Sequence, residues 1–540
     1  IEPSGSGRSR LARRLPRILV ADPLAEDGIA RLRELGEVEV HTKQSEDQLV
    51  ALIPDFDALV VRSDTKVTAR VLDAGRRLRV VGRAGVGVDN IDVGAATAKG
   101  ILVVNAPRGN IIAAAEHTIG LLFALARNIP QADASVKRGE WARSKFTGVE
   151  VRAKVLGLVG LGNIGSEVAK RAQGLEMEVI AYDPAVAPER AEQFNVRLVE
   201  LDELLRSADF ISVHAPLIDA TRNLINARGL ALVKPSARLI NAARGGIVDE
   251  AALHDALASG RLAGAACDVF LQEPLGASPL LELPNFIATP HVAASTAEAQ
   301  TTVAFDVAEE VGAVLAGELP RYAVNAPSLP PEELAFLRPY ADLAERMASL
   351  HLQLVSERVS ALEIECAGEL AEHDTSLVTA WAVRGVVQPF VESRVNAVNA
   401  RLVAAGRGLQ LVERRIPRAG GYPSSLALRI DGDEIEGTVL LGEPRITRIG
   451  AFRVDLAPEG RFLVSRHEDR PGVVGRIGTI LGENDINIAS MQVGRDAPRG
   501  QAMMILAVDD VVGEEVLGLL RGVFGMSDLR YVELSDQRDG

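Results

Sequence analysis

Cysteine is nearly absent from this 540-residue chain: Cys267 and Cys366 are its only two. That is too few for a disulfide framework or a four-cysteine zinc site, and it fits a reducing compartment. No metal is expected. No stretch approaches the roughly 18 uninterrupted apolar residues of a membrane span, and no apolar signal core precedes the first α/β pattern. A soluble, cytoplasmic protein is expected, without a membrane partner. Basic residues are in deficit, 59 Lys and Arg against 73 Asp and Glu, leaving a net charge of -14. Such a molecule repels polyanions, so nucleic acid is excluded as an expected partner. Short internal repeats are lacking too, and low complexity is confined to the N-terminus.

What remains is ordinary globular material, 47% hydrophobic and 24% charged, enough for several aliphatic cores. At about 150 residues per domain the length predicts three or four domains. Residues 1–16, rich in arginine and almost free of acid, read as a disordered tail; an organelle-targeting remnant or a tag is the alternative. From Arg17, strand-like RILVADPL, EVEVH, DALVVRS, RVVGRAGVG and ILVVNAP alternate with helical stretches, which is the pattern of a parallel sheet. Residues 17–106 form one α/β unit, to which a helix from about Thr296 to Gly317 is expected to return, making the unit 17–106 plus 296–325. Residues 107–295 form a second α/β series, and Pro327, Pro330 and Pro331 mark a linker. The span 326–460 mixes helices and strands without a fold legible from pattern. Residues 461–540 read as βαββαβ, the ferredoxin-like split arrangement. The predicted fold class is therefore two doubly wound, Rossmann-like α/β domains, then an α+β intervening domain and a ferredoxin-like domain.

The second series opens KVLGLVGLGNIG, so Gly160, Gly162 and Gly165 make G-x-G-x-x-G between a strand and a helix start. There the turn can be tight and backbone N–H groups can meet a pyrophosphate. Asp183 closes the next strand eighteen residues after Gly165, where a carboxylate binds an adenosine ribose and repels a 2′-phosphate. NAD is preferred over NADP. Three further polar residues sit at or beyond strand ends: Arg244 in NAARGGIVDE, Glu273 in DVFLQEP and His291 in TPHVAAST. A guanidinium offers a fork to a carboxylate, an imidazole exchanges the proton of a hydroxyl, and a carboxylate supports the imidazolium. Singly, each has a structural role open to it as a salt bridge, a cap or a satisfied histidine; together they suffice for alcohol oxidation.

These blocks, with GLGNIG, resemble the D-isomer-specific 2-hydroxyacid dehydrogenases in order and spacing. VVRSDTKVT, GRAGVGVDNID, NAPRGNIIAAAEHT and WARSKFTG further resemble the branch that oxidises 3-phosphoglycerate at the start of L-serine synthesis. The resemblance implies Arg244 as substrate binder, His291 as acid/base and Glu273 as its partner. It places Asn163, Ile164, Asp183, Ala242, Ala243, Asp268, Val292, Ala293 and Ala294 around NAD. Arg62, Arg83 and Arg143 are implied at the substrate's phosphate end. Ala215 and Ala113 stand where relatives often carry a threonine and a serine, so neither donates a side-chain hydrogen bond. The C-terminal unit resembles an ACT regulatory domain through HEDRPGVVG and NDINIASMQ. That implies an amino-acid effector, L-serine, at a dimerised ACT interface around His467, Asp469 and Asn487, and a homo-oligomer, tetramer or dimer. In the intervening region Arg445, Arg448 and Arg453 read equally as an anion site or a solvated basic face. Alternative readings are a glyoxylate or hydroxypyruvate reductase, or an NAD-sensing corepressor of the same fold.

Overall fold

A computed structural model describes residues 14–534 apart from 327–328, 356–358, 392–393, 419, 524–525, 527 and the side chain of 331. Most of the N-terminal tail and Pro327 of the linker therefore lie outside the described residues. The first unit holds strands β1 (Arg17–Val20), β2 (Glu37–Val40), β3 (Ala58–Val61), β4 (Val80–Arg83) and β5 (Leu102–Asn105). Between them run helices α1 (Glu26–Leu35), α2 (Glu46–Leu52), α3 (Ala69–Ala74) and α4 (Val93–Ala98). All pairings are parallel, in the order β2-β1-β3-β4-β5. β3 is buried at every position, as a strand covered on both faces must be. Polar side chains start the helices: Ser45 forms a capping box on α2, and Thr68 and Asp92 cap α3 and α4.

Helices α5 (Ile111–Arg127) and α6 (Ile129–Lys137) lead into a second sheet. It is built from β6 (Val155–Val159), β7 (Glu178–Tyr182), β8 (Arg197–Leu198), β9 (Phe210–Val213), β10 (Arg238–Asn241), β11 (Gly264–Cys267) and β12 (Phe286–Ala288). Helices α7 (Asn163–Gly174), α8 (Pro188–Gln193), α9 (Leu201–Ser207), α10 (Ala227–Leu230) and α11 (Glu250–Ala258) connect the strands. The order β12-β11-β10-β9-β6-β7-β8 reverses direction between β6 and β9, so a crevice opens there at the strands' carboxyl ends. Helix α12 (Ala297–Leu315), capped by Thr296, then crosses back to the first sheet. Val303, Val307 and Val311 share a core with Val80 and Val104, and a Cβ on Gly82 would come within 2.8 Å of both Val307 and Val311. Tyr322 and Asn325 are tied to β5 beyond the helix.

The region whose fold is illegible in sequence is a six-stranded sheet accompanied by three helices. Helices α13 (Pro331–Val355), α14 (Ser376–Val387) and α15 (Ala400–Gly406) accompany strands β13 (Ala361–Gly368), β14 (Gln410–Ile416), β15 (Ser424–Ile430), β16 (Asp433–Leu440), β17 (Glu443–Ile449) and β18 (Phe452–Leu456). Only β13–β14 pairs parallel. Arg448 is engaged by Glu434 and Glu436, and Arg445 by Glu443, so these two cations are spent on neighbouring acids.

The last unit runs β19 (Gly460–Glu468), α16 (Val473–Glu483), β20 (Ile488–Arg495), β21 (Gln501–Val508), α17 (Glu514–Arg521) and β22 (Asp528–Leu534). Its antiparallel order β20-β21-β19-β22 is that of a split βαβ unit. One sheet face, with Phe462, Val464, Met503 and Ile505, packs into the same core as α13; the other, with Leu463, Met504 and Leu506, packs on α16 and α17. No break in the core falls at residue 460. Among the described residues no helix is long and apolar enough to cross a membrane.

Candidate active site

The glycine-rich turn after β6 takes a shape that assigns each glycine a different task. Gly160 sits at φ +103, and a Cβ there would lie 2.7 Å from the His214 carbonyl oxygen. A Cβ on Gly165 would lie 2.3 Å from the Gly160 carbonyl oxygen, so this glycine lets α7 close onto the strand. Gly162, by contrast, has no protein atom within 4 Å of its Cβ position. It precedes α7 with no side-chain cap, so the N–H groups of that first turn face open space. A strand, a tight turn and an uncapped helix start suit a dinucleotide pyrophosphate, and these residues fit NAD.

Asp183 follows β7 and accepts from the Leu161 N–H at 2.8 Å and the Ala185 N–H at 2.9 Å. A carboxylate has about four acceptor sites, so two stay available for ribose hydroxyls. The turn and the acid are therefore braced against each other before any ligand arrives.

On the other side of the crevice, the loop after β10 carries Ala242, Ala243 and Arg244. Asn241, 2% exposed, closes this loop on itself by donating to the Arg244 carbonyl at 3.0 Å and accepting from the Ala243 N–H at 3.2 Å. The Arg244 guanidinium donates to Asp89 at 3.1 Å, an acid from the first unit, so the ion pair spans the cleft between the two sheets. Arg62 follows β3 and Arg83 ends β4, the adjacent strand of the facing unit. Asp22 holds the Arg62 backbone N–H at 2.6 Å and the Thr65 hydroxyl at 2.6 Å. Burial, then the nearby Arg244 and Arg62 guanidiniums, push the Arg83 pKa down to about 10. Its Nε is buried with no hydrogen-bond partner. Three guanidiniums thus face one cleft, an arrangement that an anionic substrate stabilises.

His291 Nδ1 meets Glu273 Oε2 at 2.7 Å, and Glu273 Oε1 accepts from the Phe270 N–H at 2.9 Å. With Nδ1 so engaged, Nε2 is the nitrogen left to exchange a proton with a ligand. His291 itself has φ +55, and its N–H donates to the Asp268 carbonyl at 2.8 Å. Asp268 is fully buried. Its carboxylate accepts from Thr289 Oγ1 at 2.5 Å and from the N–H groups of Val292 and Ala293 at 2.9 Å each. These bonds brace the loop that carries His291, Val292 and Ala293, the segment expected around the cofactor. His117 of α5 approaches Asp268 at 3.4 Å and Thr289 at 3.3 Å from the same side.

Arg143 lies exposed on the short 3-10 turn Arg143–Phe146, beyond α5 and α6. In the last unit, His467 is buried on β19, and Asp469 accepts from Arg495 at 3.1 Å and from the Arg499 N–H. Asn487 donates instead to Asp509 at 2.6 Å, at the opposite end of β20. Eight residues of strand separate Asn487 from Arg495, or about 26 Å. Residues that sequence reasoning missed are Asp22, Asp89, His117, Asn241 and Thr289. Asp22 and Asn241 carried a signal, a polar residue ending or following an apolar strand.

Residues 119–293 match the model of the D-isomer specific 2-hydroxyacid dehydrogenase NAD binding domain. Residues 336–450 match the D-3-phosphoglycerate dehydrogenase intervening domain and 461–525 the ACT domain. D-3-phosphoglycerate dehydrogenase of Archaeoglobus fulgidus is 45% identical over 526 residues, covering 96% of this chain and all of that protein. The enzyme of that name from Bacillus subtilis is 43% identical, covering 96% of this chain and 99% of the relative. Among solved structures, D-lactate dehydrogenase of Aquifex aeolicus complexed with NAD and lactic acid superposes with TM-score 0.53 at 28% identity. That match covers 58% of this chain and all of that one.

Proposed function

Because the chain belongs to the D-isomer-specific 2-hydroxyacid dehydrogenase family and is an NAD-dependent oxidoreductase, we propose that it oxidises 3-phosphoglycerate to 3-phosphohydroxypyruvate, the entry step of L-serine synthesis. The observation that carries this reading is geometric: Arg244 reaches across the cleft to Asp89 at 3.1 Å, toward the sheet where Arg62 follows β3 and Arg83 ends the adjacent strand β4. A simple 2-hydroxyacid presents one carboxylate, whereas a phosphorylated one presents a second, doubly charged end. Arg244 grips the carboxylate as a bidentate fork, and Arg62 with Arg83 takes the phosphate. The His291 Nε2 receives the C2 hydroxyl proton as the C2–H bond breaks and the carbonyl forms. Glu273 holds the imidazolium that results. NAD, when bound on the Gly160–Gly165 turn, supplies the hydride acceptor. Asp183 selects it over NADP by repelling a 2′-phosphate.

An NADH absorbance assay over a panel of 2-hydroxyacids and ketoacids tests the substrate. Turnover confined to the phosphorylated pair is expected. Equal turnover of glyoxylate or hydroxypyruvate would replace the reading with a reductase of those acids, and NAD binding without any turnover would point to a corepressor.

Feedback by L-serine belongs to the same proposal and rests on the ACT domain. Since Asn487 and Asp469 lie at opposite ends of β20, one chain alone does not assemble the expected effector set. β20 is the edge of its sheet. Antiparallel pairing of two such edges sets Asn487 of a second copy beside His467 and Asp469, which makes inhibition depend on assembly. Asn487→Ala is expected to raise the half-inhibiting serine concentration at least about tenfold, as for the loss of one charge-assisted hydrogen bond. Superimposable serine titrations of the two proteins, or no response of the unaltered chain, would remove serine from the account.

A further inference from the structure

The loop of residues 84–92, between β4 and α4, lies against two of the guanidiniums that face the cleft. A Cβ on Gly85 would lie 1.6 Å from Arg83 Nη1, and one on Gly87 would lie 2.0 Å from Arg244 Nη2. The loop therefore touches an arginine of its own unit and an arginine of the other unit, and the missing side chains make room for both. Its backbone is held from β5. Asn105 donates to the Val86 carbonyl at 2.5 Å, and the Gly85 carbonyl accepts from the Ala106 N–H at 3.0 Å.

Two neighbouring side chains of this loop reach in different directions. Asn90 Nδ2 donates to the carbonyls of Arg62 and Thr65 at 2.7 Å each, which ties the loop to the segment that follows β3. Asp89 accepts from Arg244 Nε at 3.1 Å across the cleft. Arg62 and Arg244, from different units, are thereby connected through one dipeptide. The pair leaves Arg244 usable. A guanidinium has five N–H groups; Asp89 takes the one on Nε and the Ala243 carbonyl takes one on Nη1 at 2.7 Å. One N–H from each terminal nitrogen still forms the end-on fork that a carboxylate fills with two parallel hydrogen bonds. Asp89 is 73% exposed, and an ion pair that open to water adds little to stability, so folding alone gives the contact little purpose. Asp89 and Asp22 also counter the repulsion that Arg244 and Arg62 exert on Arg83.

We propose that Asp89 is a positioning residue for Arg244 and, with Asn90, sets the separation between the arginine that reads the hydroxyacid carboxylate and those that read its phosphate. This rests on 3-phosphoglycerate as the substrate and deepens that reading: the cleft selects a 2-hydroxyacid whose second anionic group stands at one fixed reach from its carboxylate. A ligand with the wrong reach satisfies one end and leaves the guanidinium at the other end unpaired, which is discrimination by an unmade contact. Asp89 acts through Arg244 and needs no contact with the reacting atoms.

Full-length Asp89→Ala and Asp89→Asn are compared with the unaltered protein in the NADH assay. Alanine removes the acceptor, whereas asparagine keeps a carbonyl oxygen for Arg244 Nε and removes only the charge. Asp89→Ala is expected to raise KM for 3-phosphoglycerate about tenfold or more, with kcat within about threefold and KM for NAD unchanged. Asp89→Asn is expected to recover most of that loss. General loosening of the fold would not divide the effect between the two ligands in this way, nor be rescued by the amide. A KM for 3-phosphoglycerate that stays the same or falls in Asp89→Ala overturns the proposal, and a fall makes Asp89 a competitor of the substrate for Arg244. Equal impairment in the two variants also overturns it, because it assigns Asp89 to charge balance and not to position. Failure of the substrate reading shows separately, in the unaltered protein. If that protein turns over a different 2-hydroxyacid, that acid enters the same comparison, since Arg244 serves the carboxylate common to the class.

Discussion

Asp268→Asn is the substitution that most directly probes how the catalytic histidine is held. The loop 289–293 hangs on this one residue: its carboxylate takes Thr289 Oγ1 and two backbone N–H groups, and its carbonyl takes the His291 N–H. His291 meanwhile sits at φ +55, a conformation that a side chain other than glycine adopts at a cost and keeps only when its surroundings insist. Asparagine preserves the volume but turns one acceptor oxygen into a donor. The Thr289 hydroxyl can rotate to adapt, whereas a backbone N–H cannot, so in either amide orientation Val292 or Ala293 faces a donor. Losing one charge-assisted hydrogen bond to a buried group costs about 2 to 3 kcal/mol. If the loop holds, the loss appears in the melting temperature, at roughly 4 to 12 °C for a domain of this size. If the loop lets go, it appears in kcat, at roughly 30- to 150-fold. Calorimetry of the free protein and NADH-monitored turnover separate the two, and an unchanged Tm together with an unchanged kcat would refute the bracing argument. The pH dependence adds a sign. Burial raises the Asp268 pKa, but hydrogen bonds from His117, Thr289, Val292 and Ala293 outweigh it and hold the group below its ordinary 3.8. A depressed folded pKa gives stability that is complete above about pH 4 and is lost as pH falls through the folded value. The Tm difference between the two proteins is therefore expected to be flat near neutrality and to shrink only in acid below about pH 4.

His291→Asn keeps a residue that tolerates positive φ, so kcat is expected to fall by roughly 10²-fold or more while NADH still binds, measured by turnover and by cofactor fluorescence. Asp183→Ala is expected to narrow the preference for NAD over NADP mainly by weakening NAD, and kinetics with both cofactors decide it: unaltered protein that uses NADP equally well contradicts the assignment. Gly162→Ala places a methyl in open space, so the melting temperature of the free protein should hold while NAD affinity drops at least about tenfold. Gly165→Ala drives a Cβ to 2.3 Å from a carbonyl oxygen and should instead lower the melting temperature itself. Arg83→Gln should raise KM for the phosphorylated hydroxyacid at least about tenfold and leave KM for NAD nearly unchanged; equal effects on both would place Arg83 outside phosphate recognition.

The parts of this molecule that sequence makes legible are those where a local rule and the tertiary structure agree. β1, β3, β4 and β6 are short apolar runs that need a sheet covered on both faces, and the glycines after β6 announce a turn whose three positions have three different steric reasons. His291 and Glu273 are legible as a pair because each ends a recognisable block, and they meet at 2.7 Å. What sequence does not disclose is which oxygen faces which neighbour. Asp268 stands at a strand end, where an acid reads as a ligand contact, and nothing local announces the three hydrogen bonds it takes from residues over twenty positions later. Asp89 has no local pattern of its own; its value comes from Arg244, 155 residues away across the cleft. Residues 332–460 resist for a related reason. Their β13 pairs in parallel with a strand more than forty residues downstream and antiparallel with β15, so neither hairpin spacing nor βαβ alternation describes the sheet. The effector residues show the limit most clearly. His467 and Asp469 flank one end of β19 and Asn487 precedes β20, close in sequence and alike in motif, yet an antiparallel sheet holds them about 26 Å apart. A ligand small enough to be one amino acid cannot bridge that distance within one chain. If these residues share a ligand, the second copy is part of the site, and any loss of subunit assembly must take serine sensitivity with it.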